Sequence, residues 1–429
     1  MLGRAPRARS RAIAATVFDA IALNATALND CQMTMTLLTT TAEVEALCRE
    51  LAHEDYVTID TEFMRDRTYW PKLCLVQIAG KERFAAIDPQ ADGIDLQPLF
   101  DLLAAPSVVK VFHACRQDVE IFYNLTGATP SPIFDTQLAA MVLGYGDEVG
   151  YDSLVTRIAK ARIDKSSRFT DWSHRPLSEQ QLTYALADVT HLRVIYETLK
   201  AELEDAGRTD WAAEELADLT SADTYEQPPE LAWRRLKIRS KDARFIAIAQ
   251  ALAAWREREA QNRDLPRNRI IRDDLLLEVA ANRPNTQEAV VKIRRINIDK
   301  KSAAGIAQTI RETLALPKDQ LPSVPKPQRS PRGIGPVVDL LKVLLKYQCE
   351  EHEVGQRLVA NSSDLEAIAA DDRADVRALR GWRFDVFGKA ALALKHGELG
   401  LAIAGEKITV FPMDFATDQD VEPRAARLG

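Results

Sequence analysis

Beyond its first thirty positions the sequence has no run of about 18 apolar residues, so no membrane-spanning helix is expected. Its five cysteines are scattered without C-x-x-C spacing, and its six histidines are dispersed without an H-E-x-x-H motif. These absences argue against a zinc site or a disulfide framework, and they favour a reducing, cytoplasmic location without a membrane partner. The cysteines are Cys31, Cys48, Cys74, Cys115 and Cys349.

An excess of positive charge is also absent, since the net charge is -7 over 429 residues. A polyanionic partner would therefore have to be held by local basic patches or through metal ions. The length is sufficient for about two to four domains.

Residues 1–34 differ from the rest of the chain, because four arginines precede the first acid and a mildly apolar stretch follows. The pattern fits a transit peptide, a poor signal peptide, a disordered extension, or an over-extended start with Met33 or Met35 as the initiator. We favour the over-extended start, because Asp19 and Asn24 interrupt the apolar stretch and no clean cleavage site follows. We also predict that residues 413–429 form a disordered tail.

Residues 35–207 alternate short apolar runs with helical patterns, which predicts an α/β domain with a mixed sheet flanked by helices. The first three strands are closely spaced and are expected to form an antiparallel meander. Ser178 begins a capping box that predicts a long helix ending near Gly207. The predicted strands are Tyr56–Ile59, Leu73–Ile78, Phe84–Ile87 and Val108–Phe112.

After Pro228-Pro229 the pattern becomes helical. We predict two small all-α bundles, at residues 225–318 and 337–412, joined by a Pro- and Arg-rich linker at residues 319–336. The first bundle begins with a basic stretch beside Trp233, which is either a surface for the body of an RNA or a solvated helix face. Its cations are Arg234, Arg235, Lys237, Arg239, Lys241 and Arg244.

Asp60-Thr61-Glu62 ends the apolar run Val57-Thr58-Ile59. On an extended strand Asp60 and Glu62 project from the same face, because strand side chains repeat every two residues. Two carboxylates side by side repel each other and generally need a compensating cation. Taken alone, however, the pair also fits two solvated acids at the end of a strand.

Two further acidic positions extend this pair. Asp118 follows the fourth predicted strand and is expected in the first turn of a helix, where the helix dipole alone would also favour an acid. Tyr184 and Asp188 are four residues apart on the long helix and share one face, as they would on any amphipathic helix.

In this order the motifs resemble the DEDD exonucleases of the ribonuclease H-like fold, in the tyrosine subclass, and ribonuclease D in particular. The resemblance covers about residues 36–205 and rests on DTEFMR at 60–65, TYWP at 68–71, LVQ at 75–77, FHACRQD at 112–118, FDTQLA at 134–139, DWSHRPL at 171–177 and YALADV at 184–189. The two helical bundles resemble, by position and length, the paired HRDC domains that follow the catalytic domain in this family.

The resemblance implies that Asp60, Glu62, Asp118 and Asp188 hold two divalent cations, Mg²⁺ or Mn²⁺, as two-metal phosphodiesterases do. Tyr184 would orient the attacking water rather than act as a strong base. The metals would also reconcile the negative net charge with a nucleic-acid substrate.

The same resemblance implies four substrate-binding residues. Phe63 and Met64 follow the first motif, and Phe63 either stacks on a splayed base or packs in the core. Lys165 either pairs with a phosphate or is solvated. His113 is expected to be a structural hydrogen bonder, beside the second motif, rather than a metal ligand.

The sequence thus predicts a metal-dependent 3′–5′ exoribonuclease that releases nucleoside 5′-monophosphates. The family implies tRNA precursors with single-stranded 3′ ends as substrates, and a monomer is expected. The alternatives are a 3′–5′ DNA exonuclease of the same superfamily and a non-catalytic RNA-binding module.

Overall fold

A six-stranded mixed sheet forms the first unit of the computed structural model, which describes residues 36–323 and 333–413. The strand order is β1-β4-β3-β2-β5-β6. β2, β3 and β4 form the predicted antiparallel meander, whereas β1, β5 and β6 pair in parallel with β4, β2 and β5. The strands are β1 Leu37–Leu38, β2 Tyr56–Met64, β3 Lys72–Ala79, β4 Phe84–Ile87, β5 Val109–Phe112 and β6 Ile133–Asp135.

β1 and β6 were not predicted from the sequence. They contain two and three residues, which is too short for an alternating pattern to stand out. The helices of this unit are Thr41–Leu51, Gln97–Ala104, Arg116–Thr126, Thr136–Val142, Tyr151–Leu154, Glu179–Asp205 and Thr209–Thr220.

Glu179–Asp205, called the long helix below, lies across one face of the sheet. The predicted capping box is present, because the Ser178 side chain accepts from the backbone N–H of Gln181 and the Gln181 side chain accepts in return. The Thr58 hydroxyl on β2 donates to the backbone carbonyl of Val189 at 2.8 Å. This bond fixes the long helix over the middle of β2, beside the predicted acid pair.

The first helical block follows a 3₁₀ turn at Pro229–Arg235. Its core contains Ile248, Leu252 and Val279, and the Tyr69 side chain from the β2–β3 connection packs among them. Its helices are Ala243–Arg263, Arg267–Ile270, Asp273–Asn282, Gln287–Val291 and Lys300–Ala315.

The second helical block begins at Ile334, inside the predicted linker. It ends in an antiparallel hairpin of β7 Leu399–Ala404 and β8 Lys407–Pro412, which the sequence analysis did not predict. The bundle at residues 337–412 was expected to be all-α, and the exposed hairpin buries too little to give a clear strand signal. Its helices are Ile334–Glu351, Gln356–Val359, Ser362–Ala370, Gly381–Arg383 and Lys389–Lys395.

The second helical block docks on the C-terminal half of the long helix and on helix Thr209–Thr220. Leu199 and Leu344 belong to one continuous apolar core. The Trp211 and Trp382 rings stack with centroids 4.4 Å apart. Arg383, 1% exposed, forms ion pairs with Glu214 and Glu215. Aromatic and ionic contacts therefore hold the two units together.

The expectations for residues 1–34, for the tail beyond residue 413, for Cys31 and for the middle of the linker lie outside the described residues. The other four cysteines are buried free thiols. Within residues 36–323 and 333–413, no helix is both long and apolar enough to cross a bilayer.

Arg383→Ala is expected to lower the free energy of unfolding by about 3 kcal/mol, because it removes the buried guanidinium and leaves the buried Glu215 carboxylate with only the more exposed Arg377 as its cation. The matched control is Arg357→Ala, which removes an exposed ion pair with Glu148 between the same two units. That change should lower stability by at most about 1 kcal/mol. Urea unfolding followed by circular dichroism measures both, and equal losses would contradict this account.

Candidate active site

Asp60 and Glu62 lie where the sequence places them, on one face of β2, next to the long helix. Asp188 projects from that helix toward them. One carboxylate oxygen from each of Asp60, Glu62 and Asp188 lies within 4.8 Å of the others. Tertiary folding thus brings together acids that are more than 120 residues apart in the chain.

Asp118 reaches the same region from the first turn of helix Arg116–Thr126. It is buried, and its Oδ1 accepts a hydrogen bond from the Thr61 hydroxyl on β2. It does not belong to the compact group of three carboxylates. Repulsion from Asp60 nevertheless contributes to the raised pKa of Asp118, after burial, so the two carboxyls lie near each other.

Asp135 fixes the turn that leads into the Asp118 helix. Its carboxylate accepts from the backbone N–H groups of Ala114 and Cys115 at 3.1 and 2.8 Å. It also caps the following helix by accepting from Gln137 N–H at 2.7 Å. Ala114 has a φ of 57°, a backbone conformation that such bonds help to hold. No role was predicted for Asp135, although an Asp before a helical run is a recognisable N-cap signal.

The carboxyls of this cluster are desolvated and repel one another. Burial raises the pKa of Asp60 to about 6 and, together with the charge of Asp60, that of Asp188 to about 8. Burial and the charges of Asp60, Asp188 and Asp118 raise the pKa of Glu62 to about 9. Among the described residues, none of the four forms an ion pair with a basic side chain.

The donor set of this cluster therefore fits a divalent cation. It offers only carboxylate oxygens, with no thiolate or imidazole within the group. Hard cations such as Mg²⁺ and Mn²⁺ prefer such ligands. A bound cation would also offset the burial and repulsion that keep Glu62 and Asp188 protonated at neutral pH.

Tyr184 lies one helical turn before Asp188, and its hydroxyl hydrogen-bonds that carboxylate. Burial and the charges of Asp188, Glu62 and Asp60 raise its pKa above the ordinary value. The phenol therefore remains protonated at neutral pH, and it is suited to donating a hydrogen bond rather than to removing a proton.

Two of the predicted substrate-binding residues pack against the protein. Phe63 is half-buried against the core on one side of the sheet. His113 Nδ1 lies 3.0 Å from the Thr136 hydroxyl, and its ring contacts Tyr151. The role of His113 as a structural hydrogen bonder stays a prediction.

The other two predicted residues lie closer to the acids. Met64 packs in the same small cluster as Tyr184. Lys165 Nζ lies 2.7 Å from the Asp152 carboxylate. Its positive charge partly offsets the rise in the pKa of Asp188. Lys165 is therefore paired in this structure, but its charge still acts on the site.

Three residues near the acids were missed by the sequence analysis. The Tyr151 hydroxyl donates to the backbone carbonyl of Asp188 at 2.5 Å. Arg168 opposes the raised pKa of Glu62 and Asp188, and its guanidinium lies 5.3 Å from the centre of the Phe169 ring. Phe169 is 89% exposed. A single arginine beside an aromatic residue carries no periodic signal in the sequence.

Comparison with known proteins agrees with this geometry. Residues 35–204 match the 3′–5′ exonuclease domain family, and residues 246–305 match the HRDC domain family. Ribonuclease D of Nitrobacter hamburgensis is 50% identical over 372 residues, covering 86% of this chain and 97% of its own length. Ribonuclease D of Granulibacter bethesdensis is 49% identical over 377 residues, covering 87% and 95%.

A solved structure shows the same similarity. The crystal structure of Escherichia coli RNase D, described as an exoribonuclease involved in structured RNA processing, superposes with a TM-score of 0.73 at 30% identity. The superposition covers 85% of this chain and 99% of that one.

The mixed sheet and its clustered carboxylates thus define a 3′–5′ exonuclease. The chain belongs to the ribonuclease D family, and it is a 3′–5′ exoribonuclease with an HRDC domain after the catalytic domain.

The affinity for Mn²⁺ is expected to rise with pH between about 6 and about 9, the range set by the pKa values of Asp60 and Glu62. These carboxyls must lose protons to bind a cation, so affinity rises by up to about tenfold per pH unit for each proton released. Calorimetric titration of the protein without RNA measures this dependence.

Glu62→Gln serves as the control for that titration. The variant lacks the Glu62 carboxyl, whose pKa is raised to about 9, so it should bind Mn²⁺ more weakly and with a shallower pH slope. Wild-type affinity that does not change with pH would show that the cluster is not where the cation binds.

Proposed function

We propose that Asp60, Glu62, Asp118 and Asp188 hold two divalent cations, Mg²⁺ or Mn²⁺, at the 3′ end of an RNA strand. The observation that carries this assignment is the compact group of carboxylate oxygens with raised pKa values and no basic partner among the described residues. When bound, such ions offset the negative charge that develops on the phosphate during hydrolysis.

The chain's own residues would position the reactants. Tyr184, protonated and hydrogen-bonded to Asp188, would orient the attacking water. Met64, beside Tyr184, and Phe63 would contact the terminal nucleotide, and Lys165 would attract its phosphate. His113 would support the nucleotide-binding residues through its contact with Thr136.

We propose tRNA precursors with single-stranded 3′ ends as the substrate class. The likeness to ribonucleases D along nearly their full length supports it, and the related Escherichia coli enzyme is described as processing structured RNA. A site between β2 and the long helix is reached by a single strand more easily than by a duplex.

The basic stretch of the first helical block would hold the body of the RNA. Two of its six cations are engaged within the protein, because Arg235 pairs with Glu257 and Arg244 donates to two backbone carbonyls. The other four are exposed and form no ion pair with a described residue. They are Arg234, Lys237, Arg239 and Lys241.

We further propose that the protein acts as a monomer in the cytoplasm. The buried, unpaired thiols of Cys48, Cys74, Cys115 and Cys349 are compatible with a reducing compartment. The catalytic acids all come from one chain, so the site does not require a second copy.

Asp118→Asn is expected to abolish shortening of a labelled RNA with a 3′ overhang in Mg²⁺ or Mn²⁺, with a loss of at least about 100-fold in kcat. The amide keeps the shape of the side chain and can still accept from Thr61, so the fold should survive. Gel analysis of the products measures the loss.

The same assay separates the alternatives. Persistent shortening by Asp118→Asn would refute the assigned site. Preference for the equivalent DNA would favour a DNA exonuclease, and RNA binding without shortening by the wild type would favour a non-catalytic module.

Replacing Lys237 and Arg239 together by alanine is expected to raise KM for a long RNA about five- to tenfold, with kcat within twofold, since these cations would contact only the RNA body. The KM difference should shrink as salt is raised. A matched change of the paired Arg272 and Arg295 tests whether any loss of charge has this effect.

A further inference from the structure

The connection between β2 and β3, residues 65–71, is bonded to the first helical block as well as to its own unit. The Asp264 carboxylate accepts from the backbone N–H groups of Tyr69 and Trp70 at 3.0 and 2.9 Å. Asp264 ends helix Ala243–Arg263 in a left-handed conformation. The end of one domain's helix thus fixes the backbone of the turn that follows Asp60 and Glu62.

The Tyr69 side chain is inserted into the first helical block. Its hydroxyl donates to Glu257 at 2.5 Å and accepts from Gln261 at 3.2 Å. The Arg267 guanidinium lies 4.7 Å from the centre of the Tyr69 ring. Burial alone would raise the pKa of Glu257, yet hydrogen bonds from Arg267 and Tyr69 hold it below its ordinary value. The Tyr69 hydroxyl is therefore bonded to a buried carboxylate, that of Glu257, which stays charged.

Gln227, in the segment between the two domains, extends this network back toward the catalytic acids. Its Oε1 accepts from Arg267 at 2.6 Å, and its Nε2 donates to Glu120 at 3.1 Å. Both carboxylate oxygens of Glu120 in turn accept from the Arg65 Nη2, at 2.9 and 2.8 Å. Arg65 directly follows β2, and Glu120 lies two residues after Asp118 on the same helix.

We propose that the first helical block is part of the catalytic unit, with Tyr69, Asp264, Gln227 and Arg267 acting as positioning residues for the strand and the helix that carry Asp60, Glu62 and Asp118. The TYWP motif at residues 68–71 would then serve neither RNA nor metal directly. It joins the domains at the point where a small shift of β2 relative to the Asp118 helix would separate the carboxylates.

This inference rests on the proposed assignment of the four carboxylates, and it differs from a role in RNA binding alone. A domain that only holds the RNA body affects KM and leaves kcat unchanged. A domain that positions the acids affects kcat at saturating RNA and affects Mn²⁺ affinity in the absence of RNA.

The test compares Tyr69→Phe with Tyr145→Phe. Each change removes one tyrosine hydroxyl that bonds a glutamate, since Tyr145 bonds Glu202 at 2.9 Å. We expect Tyr69→Phe to lower kcat about tenfold or to weaken Mn²⁺ binding at least about threefold, with KM for RNA within twofold. Tyr145→Phe should leave all three within twofold at a similar loss of thermal stability.

Asp264 supplies a second pair of variants in case Tyr69→Phe does not fold. Asp264→Gly removes the acceptor while keeping the left-handed helix end, which glycine favours. Asp264→Asn keeps an acceptor oxygen and should restore kcat toward the wild type.

The proposal is overturned if folded Tyr69→Phe or Asp264→Gly keeps both kcat and Mn²⁺ affinity within twofold of the wild type, whatever happens to KM. Equal kcat losses in Tyr69→Phe and Tyr145→Phe would also overturn it, because stability alone would then explain both. Activity retained by Asp118→Asn would instead show that the carboxylate assignment is wrong.

Discussion

Mutual repulsion among desolvated carboxylates is the constraint on which the rest of the structure depends. Asp60, Glu62 and Asp188 bring oxygen atoms within 4.8 Å of one another, and burial with their shared charge raises their pKa values. Such a group opposes its own assembly unless protons or cations neutralise it. The scaffold must therefore hold these side chains in place against a force that pushes them apart.

Several contacts within the fold hold the acids in place against this repulsion. The Thr58 hydroxyl ties the long helix to β2, and Asp135 holds the turn that aims Asp118. The Arg65–Glu120 contact joins the end of β2 to the Asp118 helix. Each of these bonds lies beside the acids without adding a positive charge within the group, so the site remains available to a cation.

Docking of the helical blocks extends the same scaffold. The second block packs along the C-terminal half of the long helix through an apolar core, the Trp211–Trp382 stack and the buried Arg383. The first block encloses Tyr69 from the catalytic unit. Elements distant from the acids in sequence thereby restrict the two elements, the long helix and β2, that carry three of the four carboxylates.

The sequence by itself determined the catalytic fold class, the β2–β3–β4 meander, the long helix with its Ser178 cap, and the catalytic candidates. Alternation along strands and spacing along helices depend on neighbouring residues, so they are visible in the chain. Only the tertiary structure decided that Asp118 bonds Thr61 outside the compact group, that Lys165 is paired with Asp152, and that Tyr69 anchors a second domain. Those facts depend on contacts between segments up to about two hundred residues apart, for which periodicity within one segment carries no information.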